Sequence, residues 1–186
     1  MNPPKKQPQL ADSLQQRLLP LRGLVMDVDG VLTDGRIIIN DRGEESKHFH
    51  VRDGHGIKLL LRTGFQVALL TGRQSQVVLH RARELGIDTV FQKIRDKVTA
   101  YEQIKARLGL ADQQICYVGD DLVDIPVLRR AGLAATVADG IAELDQVVHW
   151  RASLPGGGGA VRELCELIMH TQQTWEAATE RYFGQQ

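Results

Sequence analysis

At 186 residues with 42% hydrophobic side chains, the chain has enough apolar mass for one domain with a full core. Lysine plus arginine and aspartate plus glutamate number 23 each, a balance that argues against nucleic acid as the main partner. The two cysteines, Cys116 and Cys165, are too few for a disulfide framework, and no apolar run approaches the length of a membrane span. Lys5 and Lys6 are followed by no apolar stretch of the kind a targeting segment carries, so a cytoplasmic protein is expected.

Residues 1–9 read as a disordered lead. Leu10, Leu14 and Leu18 then recur at helical spacing before Pro20, and residues 1–20 are taken as an N-terminal extension to a domain spanning 21–186. Strands are expected at 23–27, 66–70, 88–91, 115–118 and 133–137, with helices between them at 55–63, 74–85, 96–108 and 122–130. This alternation is that of an α/β fold with a doubly wound, Rossmann-like parallel sheet. One segment breaks it. Residues 36–51 place Ile37, Ile38 and Ile39 ahead of Asn40-Asp41-Arg42-Gly43, a β-hairpin flap whose three consecutive isoleucines cover both strand faces. An isolated hairpin is marginal in water, so the flap either folds back on its own domain or is buried against another subunit. Nothing in the chain is large enough for a separate cap domain. In the tail, 155–186, Pro155 and four glycines precede an amphipathic helix carrying Val161, Leu164, Cys165, Ile168 and Met169. The glycine run lacks the Lys-Ser/Thr ending of a phosphate-binding loop, which leaves a flexible linker as one reading of it.

The chemistry gathers at strand ends. Leu24-Val25-Met26 runs into Asp27-Val28-Asp29-Gly30, Val67-Ala68-Leu69-Leu70 into Thr71-Gly72-Arg73, and Ile115-Cys116-Tyr117-Val118 into Gly119-Asp120-Asp121, with Asp124 close behind. Parallel strands deliver their C-terminal residues to one edge, so Asp27, Asp29, Thr71, Asp120 and Asp124 are expected to converge there, with Lys97 a candidate cation between them. Carboxylates without histidine or cysteine make a hard-oxygen site suited to Mg²⁺. His48 and His50 sit two apart, but with no third soft ligand nearby a zinc site is not expected.

In this order, D-x-D-G-V-L-T, T-G-R, a downstream lysine and G-D-D-x-x-D resemble the four motifs of the haloacid dehalogenase-like phosphohydrolases. Phe49-His50-Val51-Arg52-Asp53-Gly54-His55-Gly56-Ile57 and Gly158-Gly159-Ala160-Val161-Arg162-Glu163 narrow the likeness to the capless branch that acts on sugar acid phosphates. The resemblance covers about residues 21–169. It implies Mg²⁺-dependent hydrolysis of 3-deoxy-D-manno-octulosonate 8-phosphate in lipopolysaccharide precursor synthesis, by a homotetramer whose hairpins pack together.

By that likeness Asp27 is the nucleophile that forms an aspartyl-phosphate, and Asp29 the acid and base that protonates the leaving alkoxide and then activates water. Mg²⁺ is expected on the Asp27 side chain, the Asp29 backbone carbonyl and Asp120, with Asp121 or Asp124 acting through water or orienting Lys97. Thr71 and Lys97 would hold the phosphoryl group. His50, Val51, Arg52, Asp53, Gly54, Lys58, Arg73 and Arg81 would line the substrate site, partly across subunits. Arg162 would reach the sugar phosphate from a tail that moves over an active site. A glycine is usual near Gln92-Lys93 in such enzymes, and this chain has none.

Three other readings share part of the pattern. A phosphatase of a nine-carbon sugar acid phosphate would carry the same catalytic motifs. A phospho-accepting receiver domain also uses acidic clusters, a hydroxyl, a lysine and Mg²⁺, but has no need of a second acid two residues after its phosphoacceptor. A catalytically silent assembly subunit would not need the full set of side chains.

Overall fold

The central strand of the sheet is buried on both faces, and its side chains divide between them. Leu24 and Met26 enter one apolar cluster and Val25 the other, as do Val67 and Leu69 against Ala68 and Leu70, and Cys116 and Val118 against Ile115 and Tyr117. A computed structural model describes residues 11–184 and shows how these runs are arranged.

The elements in chain order are α1 (Asp12–Leu18), β1 (Gly23–Met26), β2 (Ile38–Ile39), β3 (Glu45–Ser46), α2 (Val51–Arg62), β4 (Gln66–Leu70), α3 (Gln76–Leu85), β5 (Thr89–Phe91), α4 (Lys97–Leu108), β6 (Ile115–Val118), α5 (Ile125–Leu128), β7 (Leu133–Thr136), β8 (Trp150–Arg151), α6 (Ala160–Thr171) and α7 (Trp175–Phe183). Six strands form one sheet in the order β5-β4-β1-β6-β7-β8, every pair parallel. The chain winds outward from β1 through β4 to β5, then crosses to β6 and winds the other way. The C-terminal ends of β1 and β6 therefore flank the crevice where open α/β sheets bind ligands.

Helices α2, α3 and α6 cover one face of the sheet, α4 and α5 the other. α1 lies against α6, with Leu18 fully buried and the Gln172 amide donating to the carbonyls of Leu18 and Leu21. The lead expected at 1–9 lies outside the described residues.

Several expected boundaries move. α2 starts at Val51 rather than 55, so the hairpin ends earlier than expected and consists of the short pair β2 and β3. The helix expected over 122–130 is a 3-10 turn, Leu122–Asp124, followed by the single turn α5, because Pro126 suits only a first turn. β8 and α7 were not expected. Among the described residues no cap domain is inserted. The hairpin stands outside the sheet, with Ile37 and Ile39 more than half exposed.

The glycine run is not a linker. Gly156 and Gly159 are buried, and a Cβ on Gly156 would run into the Gly30 carbonyl. Gly157 donates its N–H to the Val31 carbonyl at 3.0 Å. The run's small size lets the tail's backbone seat directly on the loop that follows β1.

Candidate active site

Asp27 is the first residue after β1. Its Oδ1 accepts the Val28 N–H at 2.6 Å and its Oδ2 accepts the Lys97 ammonium at 2.6 Å. The loop behind it is closed by Thr33, whose Oγ1 accepts the N–H of Gly35 at 3.2 Å and donates to the Val28 carbonyl at 3.4 Å. Gly30 takes a positive φ of 92°, and a Cβ there would collide with the Asp120 carboxylate. Only glycine fits where these two acidic loops meet.

Lys97 opens α4, whose start is fixed by Asp96 accepting the N–H groups of Val98 and Thr99 at 3.0 and 3.1 Å. This start sends the lysine inward, with 6% of its surface exposed, to a second partner, Asp124 Oδ1, at 2.6 Å. Asp124 is fully buried. It also accepts the Tyr117 hydroxyl at 2.5 Å on Oδ1 and the N–H groups of Asp120 and Asp121 at 3.1 and 3.3 Å on Oδ2. A carboxylate has about four acceptor positions, so Asp124 is fully engaged.

Carboxylate oxygens of Asp27, Asp120 and Asp124 lie within 4.8 Å of one another. Burial, then the charges of Asp27 and Asp124, push the Asp120 carboxyl up to about 7. Burial raises the Asp27 carboxyl as well, against the pull of Lys97. Lys97 is raised: burial opposes its charge, but Asp27 and Asp124 prevail and keep it protonated. The pocket thus holds more negative charge than one lysine balances, and its free donors are oxygens, which fits a hard divalent cation such as Mg²⁺. Because Asp124 has no acceptor position to spare, Asp27 and Asp120 are the side chains available to such an ion. The Asp29 side chain turns away to Lys47 and Arg73, so that residue's expected contribution to the ligand set is its backbone carbonyl alone.

A pH dependence follows. In the metal-free protein Asp120 carries a proton below about pH 7, and a cation must displace it. Mg²⁺ is therefore expected to bind about tenfold more weakly at pH 6 than at pH 8, with close to one proton released per ion at pH 6 and about half a proton at pH 7. Calorimetry in two buffers of different ionisation enthalpy reads both quantities. A pH-independent affinity would refute the assignment of Asp120.

A cavity of about 310 Å³ opens on this cluster, lined by Asp27, Asp29, Thr71, Arg73, Lys97 and Asp121, among others. Thr71 follows β4 and is buried, with its N–H on the Phe91 carbonyl at 2.9 Å. Asp121 caps the next turn by accepting the Leu122 N–H at 2.7 Å. Lys93 adopts the positive φ of 58° that a glycine would take without strain, and its N–H bonds the Arg73 carbonyl at 3.1 Å.

The expected substrate residues are dispersed within one chain. Only Arg73 lines the Asp27 cavity. Its Nη2 donates to Glu45 at 3.1 Å, and its buried Nε has no hydrogen-bond partner. His50, Arg52 and Arg162 line a different hollow of about 730 Å³ with His55, Ser153 and Glu163. Asp53 is spent on structure: it is 1% exposed, and its carboxylate accepts the N–H groups of Gly159 and Arg162 at the start of α6. Gly54 is buried, and a Cβ there would strike the Arg81 guanidinium. Arg81 pairs with Glu84 at 2.8 Å and lies over the Phe49 ring. Lys58 is exposed on α2, and Val51 is 81% exposed.

Three residues at the site were not expected: Tyr117, Lys47 and Arg95. A tyrosine inside a buried strand requires a partner for its hydroxyl, a signal present in the sequence. Lys47 and Arg95 carry no such mark.

A parallel sheet with aspartates at the ends of β1 and β6, a hydroxyl at the end of β4 and a buried lysine defines a haloacid dehalogenase-like hydrolase, and that family's model matches residues 51–132. The 3-deoxy-D-manno-octulosonate 8-phosphate phosphatase KdsC of Yersinia pestis is 43% identical over 170 residues, 91% of each chain. That of Escherichia coli K12 is 41% identical over 152 residues, 82% of this chain and 81% of its own. The Moraxella catarrhalis enzyme, solved in complex with magnesium, phosphate and a KDO molecule, superposes with a TM-score of 0.90 at 38% identity, covering 93% of this chain and 99% of its own. The chain belongs to the 3-deoxy-D-manno-octulosonate 8-phosphate phosphatase family.

Proposed function

We propose that the protein is a Mg²⁺-dependent phosphomonoesterase that releases phosphate from 3-deoxy-D-manno-octulosonate 8-phosphate and serves lipopolysaccharide precursor synthesis in the cytoplasm. One observation carries the chemistry. Asp27 stands at the cavity wall with one oxygen gripped by a backbone N–H and the other by Lys97, next to Asp120, whose carboxyl is pushed up to about 7 by burial and its acidic neighbours.

The ion would sit between Asp27, the Asp29 main-chain carbonyl and Asp120, supplying positive charge that lets a dianionic ester approach a carboxylate. An Asp27 oxygen attacks phosphorus as the bond to the ester oxygen breaks, and Asp29 gives that oxygen a proton. Water then attacks the aspartyl-phosphate, Asp29 takes its proton, and phosphate leaves with Asp27 restored. The Thr71 hydroxyl donates to a phosphoryl oxygen while Lys97 balances charge from the other side. Asp124 holds Lys97 in place. Arg73, a lining residue of the cavity, receives the sugar carboxylate.

His50, Arg52 and Arg162 face another hollow in their own chain, which supports a homotetramer in which a neighbour supplies them. The exposed isoleucines of the hairpin support the same assembly. Phosphate release from eight- and nine-carbon sugar acid phosphates, with and without Mg²⁺, tests the reading beside light scattering for mass. Mg²⁺-dependent release that is fastest on the eight-carbon substrate, from a tetramer, is expected. Preference for a nine-carbon substrate would replace the substrate, and a fully active monomer would remove the assembly.

A further inference from the structure

Four charges of alternating sign close a ring at the cavity mouth. Lys47, just past β3 of the hairpin, contacts Asp29 Oδ1 and lies 3.3 Å from Glu45. Glu45 pairs with Arg73 at 3.1 Å, and the Arg73 Nε returns to Asp29 Oδ2 at 3.7 Å. The ring joins the end of β1, the hairpin and the end of β4.

Lys47 is the unusual member. Its side chain is 1% exposed, whereas lysines are almost always solvated, and an ammonium taken out of water is tolerated only when paired. Its partners are Asp29 and Glu45. A lysine so placed is poorly suited to capture substrate, since its charge is already matched, but well suited to fix a carboxylate. With Oδ1 held by Lys47 the Asp29 side chain has lost its rotational freedom, and Oδ2 is left on the side of Arg73 and the cavity. Arg73 holds that oxygen less closely than Lys47 holds Oδ1.

We propose that Lys47 is a positioning residue for Asp29: it grips Oδ1 so that Oδ2 faces the ester oxygen, making proton delivery depend on the seated hairpin. This rests on the acid role given to Asp29 above. In the step concerned, the bond from phosphorus to the ester oxygen breaks as the bond from Asp27 to phosphorus forms. The electron pair departs on the ester oxygen, which takes the proton from Asp29 Oδ2.

The test exploits the leaving group. An alkoxide needs a proton to depart, whereas a nitrophenolate leaves without one, and kcat/KM covers only the steps up to that departure. For Lys47→Met, kcat/KM is expected to fall about 100-fold on both the sugar acid phosphate and glycerol 3-phosphate, but no more than about threefold on 4-nitrophenyl phosphate. Lys47→Arg should recover at least about tenfold of the alkyl loss, since it keeps the charge with altered geometry. If Lys47→Met does not fold, Glu45→Gln, which cuts the ring but spares the Lys47 contact with Asp29, should give the same split at smaller amplitude. Equal losses on the alkyl and aryl esters would make Lys47 merely structural, and a loss confined to the sugar acid would make it a substrate ligand. Either result overturns the proposal. A wild-type protein that cleaves the simple esters but no sugar acid phosphate removes the substrate reading and leaves this inference standing.

Discussion

An Asp27→Asn protein is expected to lose at least about 10⁴-fold of its phosphate release while melting within a few degrees of the wild type. The catalytic loss follows from the amide's inability to attack phosphorus. The stability outcome comes from opposed electrostatic effects. Asp27 Oδ2 gives up a charge-assisted hydrogen bond with Lys97, but Lys97 keeps Asp124 at 2.6 Å. Burial and the neighbouring Asp124 raise the Asp27 carboxyl above its ordinary value. A carboxyl raised in the folded state contributes stability below its unfolded value and loses it as pH rises through the folded one, so ionised Asp27 opposes folding at neutral pH. Neutralising it offsets the lost bond. Phosphate release and thermal melting, measured on the same metal-free and Mg²⁺-loaded samples, check both halves. Retained turnover would mean that water attacks the ester directly, and a collapse in melting temperature would make Asp27 a structural charge first.

Asp27 was legible from sequence because an apolar run that closes on a carboxylate delivers it to the C-terminal edge of a parallel sheet. Three apolar runs, each closing on a polar residue, place Asp27, Thr71 and Asp120 together once the sheet is parallel, and the strand register does so. Asp124 was legible as part of the cluster but not as its hub, since its four bonds depend on Tyr117 and on two backbone N–H groups turned inward by the loop. For Asp53 the cap at the start of α6 was not legible, because a helix cap and a substrate ligand use the same residue type and α6 lies far along the chain. The two-residue β8 is too short to show a period, and α7 follows α6 after a break of a few residues within a tail read as one piece. Lys47 lies in a polar stretch where a buried lysine looks like any exposed one.

Replacing Lys97 with methionine is expected to be the most damaging single change to the metal-free protein. The methionine keeps the packing volume but leaves Asp27, Asp120 and Asp124 crowded together without their cation. Removing one partner of a buried ion pair typically costs about 3–5 kcal/mol, which for a chain of this size lowers the melting temperature by roughly 10 °C. The pH course follows from the direction of the shift. Burial lowers the Lys97 ammonium, the two aspartates raise it further, and the net is upward, so its contribution is full below the unfolded lysine range and fades only above the folded value. The wild type therefore keeps this stabilisation throughout the neutral range. The variant, in contrast, should recover as pH falls from 8 to 6, because Asp120, pushed up to about 7 with Lys97 in place and higher without it, takes on a proton and reduces the repulsion. Mg²⁺ should narrow the deficit as well, by supplying positive charge between Asp27 and Asp120, and the variant should bind the ion more tightly than the wild type. Turnover should not return with stability, because a phosphoryl group would still lack the ammonium opposite the metal. Melting curves of both proteins at pH 6 and 8, with and without Mg²⁺, separate the contributions. A deficit unchanged by pH and by Mg²⁺ would show that Lys97 acts through packing rather than charge, and the electrostatic account of the site would fall with it.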